Sequence, residues 1–118
     1  MDPIQEKSKE VGRLLVQTDE YKALKRANAK LSDDRDTVTL LNELSTLEGD
    51  LSSALRSGKE PSADQQQEYE RVVEQLQQRS IYQEVVAAQS NFERLMMRIN
   101  EDIAEGMEAG EQSRIILP

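Results

Sequence analysis

The chain has 118 residues, 23 acidic and 15 basic, for a net charge of −8, and it contains neither His nor Cys. That inventory excludes serine–histidine triads, His- or thiolate-held metals, disulfides and cysteine catalysis. One Phe, three Tyr and no Trp leave the core to aliphatic side chains, a thin provision for one domain of this length.

Asp2 and Pro3 open a first helix as N-cap and first helical residue, since proline there gives up an amide hydrogen that has no partner anyway. Ile4, Val11, Leu14 and Leu15 form its narrow apolar face, and it ends near Val16. Thr18 is placed to cap a second helix, with Asp19 and Glu20 at its positive end and Tyr21, Leu24, Ala27 and Leu31 as its stripe. The spacing leaves open whether these two helices are separate or continuous.

Asp33, Asp34 and Asp36 open a third helix, their acidity complementing its dipole, and this helix carries the clearest periodicity in the chain. Leu40, Leu44, Leu47, Leu51 and Ala54 step by 4, 3, 4 and 3, the spacing of a heptad seam, and Leu41 and Leu55 widen it. Gly58 stops the helix and Lys59-Glu60-Pro61 turns the chain. Ser62 and Gln65 fit a capping box at the head of a fourth helix, with Tyr69, Val72, Val73 and Leu76 inward. A hinge at Ser80, or simple continuation, leads to a fifth helix in which Val85, Ala88, Phe92, Leu95 and Ile99 step 3, 4, 3 and 4. Met96 and Ile103 flank that stripe. Gly106 and Gly110 are expected to fray the helix, so the domain is read as residues 1–105 and the remainder, 106–118, as a flexible or docking tail. Alternation of period two is missing, which excludes strands. The fold class is all-α, an antiparallel bundle of about four to five helices completed by dimerisation.

Residues 1–30 hold seven Lys/Arg against five Asp/Glu, whereas from Asn100 on there are five acidic residues against Arg114 alone. A basic head and an acidic tail are able to steer two copies into antiparallel contact; the plainer reading is two solvated faces. No run reaches the ~18 apolar residues of a membrane span. The first six residues lack the basic-then-apolar order of a secretion signal, so a cytoplasmic location is expected.

Chemistry has few candidates. Asp33-Asp34-Arg35-Asp36 suggests calcium, but an EF-hand loop needs a central Gly and a closing Glu at its twelfth position, where Leu44 stands. Acid at a helix N-terminus accounts for the cluster. Lys7, Lys9, Arg13, Lys22, Lys25, Arg26 and Lys30 are interleaved with acids and have only Tyr21 as a stacking ring, so direct nucleic-acid binding is not expected. No catalytic, cofactor or metal residue is assigned and no cofactor is expected. Leu40, Leu44, Leu47, Leu51, Leu55, Phe92, Leu95, Met96, Ile99 and Ile103 are the expected packing and interface residues. Met96 and Met97 add adaptable apolar surface beyond what one contact needs, and Ile115-Ile116-Leu117 either folds back or docks elsewhere.

Four landmarks in order, Thr18-Asp-Glu-Tyr21 with Leu24 and Ala27, the leucine helix, Gly58-Lys-Glu-Pro61, and Phe92-x-x-Leu95-Met96-x-x-Ile99-Asn100-x-x-Ile103, resemble the YlbF/YmcA family of small helical bacterial proteins. The resemblance spans about residues 3–105. It implies an all-helical fold that forms homodimers or larger oligomers without catalysis. It further implies protein partners in regulatory complexes tied to competence, sporulation and biofilm formation, linked to an endoribonuclease that matures messenger RNA. The cysteines that hold an iron–sulfur cluster in certain members have no counterpart here, and residues after Gly106 match no family landmark. The leading expectation is a noncatalytic adaptor. An RNA-associated factor using the basic first helices, and a holdase-like chaperone using Met96, Met97 and Met107, are the alternatives.

Overall fold

The computed structural model describes residues 2–116, with side chains through residue 112. Five helices follow one another: α1 Pro3–Val16, α2 Asp19–Asp33, α3 Arg35–Arg56, α4 Ala63–Gln78 and α5 Ser80–Ile116. No strand occurs among the described residues, and the all-α class holds.

Most of the boundaries are set by local hydrogen bonds. The Asp2 carboxylate accepts from the Ile4 amide at 3.0 Å, and Pro3 occupies the first turn of α1. Between α1 and α2 the break is real but only two residues long. There the Thr18 hydroxyl donates to the Leu15 carbonyl at 2.6 Å and accepts from the Tyr21 amide at 3.2 Å, so one side chain closes α1 and opens α2. Asp33 is not at the head of α3 as its acidity suggested; it is the last residue of α2. Asp34 alone takes the cap position of α3.

Helix α3 stops at a Schellman arrangement. The Lys59 amide donates to the Ala54 carbonyl and the Gly58 amide to the Leu55 carbonyl, with Gly58 at φ +74°, where any side chain is strained. The expected capping box heads α4: the Gln65 amide donates to the Ser62 hydroxyl at 3.1 Å, and the Gln65 side chain accepts from the Ser62 amide at 3.0 Å. Between α4 and α5 the helix breaks at Arg79, which is extended at φ −84°, ψ 123°. The hinge therefore lies one residue before Ser80.

One expectation fails clearly. Gly106 and Gly110 do not fray α5, which continues through both to Ile116. Ala104, Glu105, Met107, Glu108 and Ala109 are all good helix formers, and together they outweigh the cost of two glycines. Leu117 lies outside the described residues, as do the side chains of Ile115 and Ile116, so the docking role suggested for that segment falls there too.

The chain divides into two compact units. Residues Lys25–Ala87 form one; residues up to Leu24, together with those from Ala88 on, form the other. Within the first, α3 and α4 pack as a helical hairpin, the antiparallel pairing that the short turn between them requires. Val72 and Leu76 of α4 are completely covered, as expected from their inward register, and Ala27 of α2, Val85 of α5 and the side chain of Thr37 are buried as well. Glu43 and Arg71 join α3 to α4 at 3.6 Å, and Lys30 reaches Glu84 at 3.0 Å. In the other unit the Tyr21 and Phe92 rings meet at 5.9 Å in a tilted arrangement, Glu20 lies 3.9 Å from Arg98, and Ala88 is buried. Tilted ring pairs of this kind add to the stabilisation from area alone.

Candidate interaction surface

The α3 seam is periodic, as the sequence requires, but incompletely covered. Leu40, Leu44, Leu47 and Leu51 are each half-buried, and Leu55 is 68% exposed. The reason is geometric: α4 supplies one neighbour for a stripe broad enough to meet more than one. An open groove lined by Thr39, Asn42, Thr46, Leu47 and Glu68 runs beside the hairpin and leaves part of Leu47 at its wall.

The α5 stripe loses cover along its length. Val85 and Ala88 are buried; Phe92, Leu95, Met96 and Ile99 are half-buried; Ile103 and Met107 are 56% and 67% exposed. Met97 on another face is exposed as well. Helix α1 buries none of its residues, and Ile4 and Leu14 stand 74% and 64% exposed. An isolated 14-residue helix is marginal in water, so a stripe of this kind requires something apolar to lie against. The ten residues expected to form a packing seam thus fall on two helices, and each retains accessible apolar surface in the single chain.

Two residues of consequence lie outside that set. Thr37 is wholly buried and donates to the Asp34 carboxylate at 2.8 Å, while the Arg79 guanidinium donates to the Thr37 hydroxyl at 2.6 Å and to Asp34 at 3.1 Å. The Asp36 carboxylate stands 3.9 Å from the same guanidinium. The Thr37 hydroxyl, and after it Arg79, hold the Asp34 carboxyl below its ordinary pKa. The signal for Thr37 was present: it stands three residues before Leu40, in register with the seam, and Asp34 stands three before Thr37. A polar residue in an apolar ladder reads as an interruption, which is why periodicity alone passes over it. Arg79 had no such signal, because its partners are more than forty residues away. Elsewhere on α4, Arg71 pairs with Glu68 and donates to Gln75 at 3.2 Å; the hydrogen bond from Arg71 lowers the Glu68 pKa. Lys7, Lys9, Arg13, Lys22, Lys25 and Arg26 are all exposed.

The family model described as control of competence regulator ComK, YlbF/YmcA, matches residues 4–108. The chain belongs to the YlbF/YmcA family. Its matched segment takes in all of α1 but its first residue, α2, α3, α4 and the part of α5 that carries the stripe, so the surface described above is YlbF/YmcA sequence throughout. The fold is also that of a protein of unknown function (DUF964) from Bacillus stearothermophilus, with a TM-score of 0.70 over 91% of this chain and 94% of that one at 12% identity. Among curated proteins no sequence matches the chain. The YlbF/YmcA description supports a regulatory role. No described helix is long and apolar enough to cross a membrane.

Proposed function

We propose that this YlbF/YmcA protein is a noncatalytic regulatory adaptor, acting in the cytoplasm, that self-associates and docks protein partners through the leucine face of α3 and the stripe of α5. One observation carries the reading. Apolar residues that keep helical register over several turns stay partly accessible in the single chain, from Leu40 to Leu55 on α3 and from Phe92 to Met107 on α5. Covering such surface is favourable by about 25 cal/mol per Å². A second copy, or an amphipathic helix of a partner, offers the complementary stripe. The resemblance to YlbF/YmcA proteins extends the partner class to a complex that processes messenger RNA.

The test compares Leu47→Asp with Leu55→Asp. Leu47 is half-buried beside the groove, whereas Leu55 is so exposed that a carboxylate there leaves the fold intact. Light scattering should give a multiple of 13.4 kDa for the parent chain and a lower mass for both variants, with helicity retained at least for Leu55→Asp. A burial cost for an unpaired carboxylate accounts for the loss. A parent chain that is monomeric at all accessible concentrations, or variants whose mass is unchanged, would remove the self-association half of the reading.

A further inference from the structure

The break between α4 and α5 falls where the sequence has no Gly or Pro to impose it. Gln77-Gln78-Arg79-Ser80-Ile81-Tyr82 contains neither Gly nor Pro, yet Arg79 is extended and the amides of Ser80, Ile81 and Tyr82 lose the carbonyls four residues back that a continuous helix would supply. With neither helix breaker present, side-chain bonds are left to hold the break, and the longest-range of them meet at Arg79. Arg79 is where that hold acts. Its guanidinium is tied to Thr37 and Asp34 at the head of α3, with Asp36 beside it, and Thr37 is fully buried. The freed end of α4 is also tended: the Gln83 side chain donates to the Gln77 carbonyl at 2.6 Å, replacing the Ile81 amide that would otherwise occupy it. The Arg79 amide itself folds back onto the Leu76 carbonyl at 3.0 Å, closing α4 on a tight turn.

We propose that residues 79–80 form a two-state hinge, latched open by the Asp34–Thr37–Arg79 cluster, and that releasing the latch lets α4 and α5 join as one helix. In the latched state the side-chain bonds of Arg79 stand in place of backbone helix bonds. In the released state Arg79 turns helical and the three orphaned amides recover acceptors. The latch is buried at Thr37 but lies in line with the exposed part of the α3 ladder. Thr37 begins the same ladder as Leu40, Leu44, Leu47 and Leu51, so a helix seated on those leucines bears on the residue that anchors Arg79. The inference goes beyond the adaptor reading and does not depend on it, since the hinge is a property of the single chain.

The experiment uses the full chain with Thr37→Val, which keeps the volume but removes both hydroxyl bonds, and Asp34→Asn as a milder release. Ser80→Pro is the counter-variant. Proline at the first position of α5 suits the broken form, with the extended residue before it, and is incompatible with a continuous helix. The readouts are the Arg79 carbon chemical shifts, amide exchange at residues 80–82, and the distance between spin labels at Gln67→Cys and Ala87→Cys, both exposed in a chain without native cysteine. Release should turn the Arg79 shifts helical, slow exchange at 80–82 at least tenfold, and lengthen the label distance toward the roughly 30 Å of a continuous helix. Adding Ser80→Pro to Thr37→Val should restore the extended shifts and fast exchange. The proposal is overturned if folded Thr37→Val and Asp34→Asn keep Arg79 extended and exchange unchanged, or if Ser80→Pro fails to reverse their effect. Should Thr37→Val unfold, Asp34→Asn alone decides, and by the same two outcomes.

Discussion

At the scale of single residues, Thr37 shows how a polar group is kept inside a thin aliphatic core. Its hydroxyl both donates to Asp34 and accepts from Arg79, so no hydrogen-bonding capacity is left stranded. The cluster also carries a pH dependence whose sign follows from Asp34. Its carboxyl is more acidic in the folded chain than in the unfolded one, first through the Thr37 bond and then through Arg79. Its stabilising contribution is therefore complete above the unfolded aspartate value of about 3.9 and is lost as pH falls through the lower, folded value. The Asp36 carboxylate stands 3.9 Å from the Arg79 guanidinium. We expect the thermal midpoint of the parent chain to exceed that of Asp34→Asn near neutrality, with the gap closing below about pH 4. Melting curves across pH 2.5–7 check this; a gap that persists in acid would show that Asp34 acts through shape and not charge. Glu68, also made more acidic by Arg71, contributes to the same acid limb in both proteins and drops out of the difference.

At the scale of elements, the two kinds of glycine in the chain make opposite predictions. Gly58 sits at φ +74° in the turn that ends α3, so Gly58→Ala strains the backbone even though open space surrounds its Cβ position. That change should destabilise the hairpin by about 1 kcal/mol, read as a lower denaturant midpoint. Gly106 and Gly110 are helical and equally uncrowded, so alanine at both should stabilise the end of α5 by up to about 1 kcal/mol each. Slower amide exchange over residues 104–112, with little change at α3 and α4, is the expected result. Faster exchange there would show that the glycines are needed for a bend or a close approach. These elements were largely readable in advance because their punctuation is local: Asp2-Pro3, Thr18, Gly58 and the Ser62/Gln65 box each act within a few residues. The end of α5 was misread for a related reason. A glycine is a weak stop signal, and the strong formers on either side of it decide the outcome.

At the scale of the whole molecule, the completely covered side chains among the described residues are few: Val72, Leu76 and Thr37. So little interior, in a chain with so many half-covered leucines, makes stability sensitive to association. If copies cover one another's stripes, the melting temperature must rise with protein concentration, because binding to the native state alone stabilises it. A hundredfold dilution series read by circular dichroism tests this, and a concentration-independent midpoint would mean that the single chain is self-sufficient. The excess of acid after Asn100 against the basic first thirty residues adds a second arm. Contacts steered by that asymmetry weaken as salt is raised, whereas purely apolar ones do not.

The sequence left open whether α1 and α2, or α4 and α5, are separate. What it determined without help is the helical class, the turn between α3 and α4 with its caps, and the register of the two apolar ladders. All of these depend on residues within a turn or two of one another, where spacing and capping chemistry are sufficient. The interface residues were chosen from the same periodicity, and the structure places them on α3 and α5 with their apolar surface partly accessible. Tertiary structure alone decided how much of the α3 ladder α4 covers, that Asp34 and Thr37 belong with Arg79, and that the hinge expected at Ser80 is a true break, at Arg79. Those outcomes depend on groups more than forty residues apart, which meet only after the helices have packed, and sequence spacing does not encode a meeting of that kind.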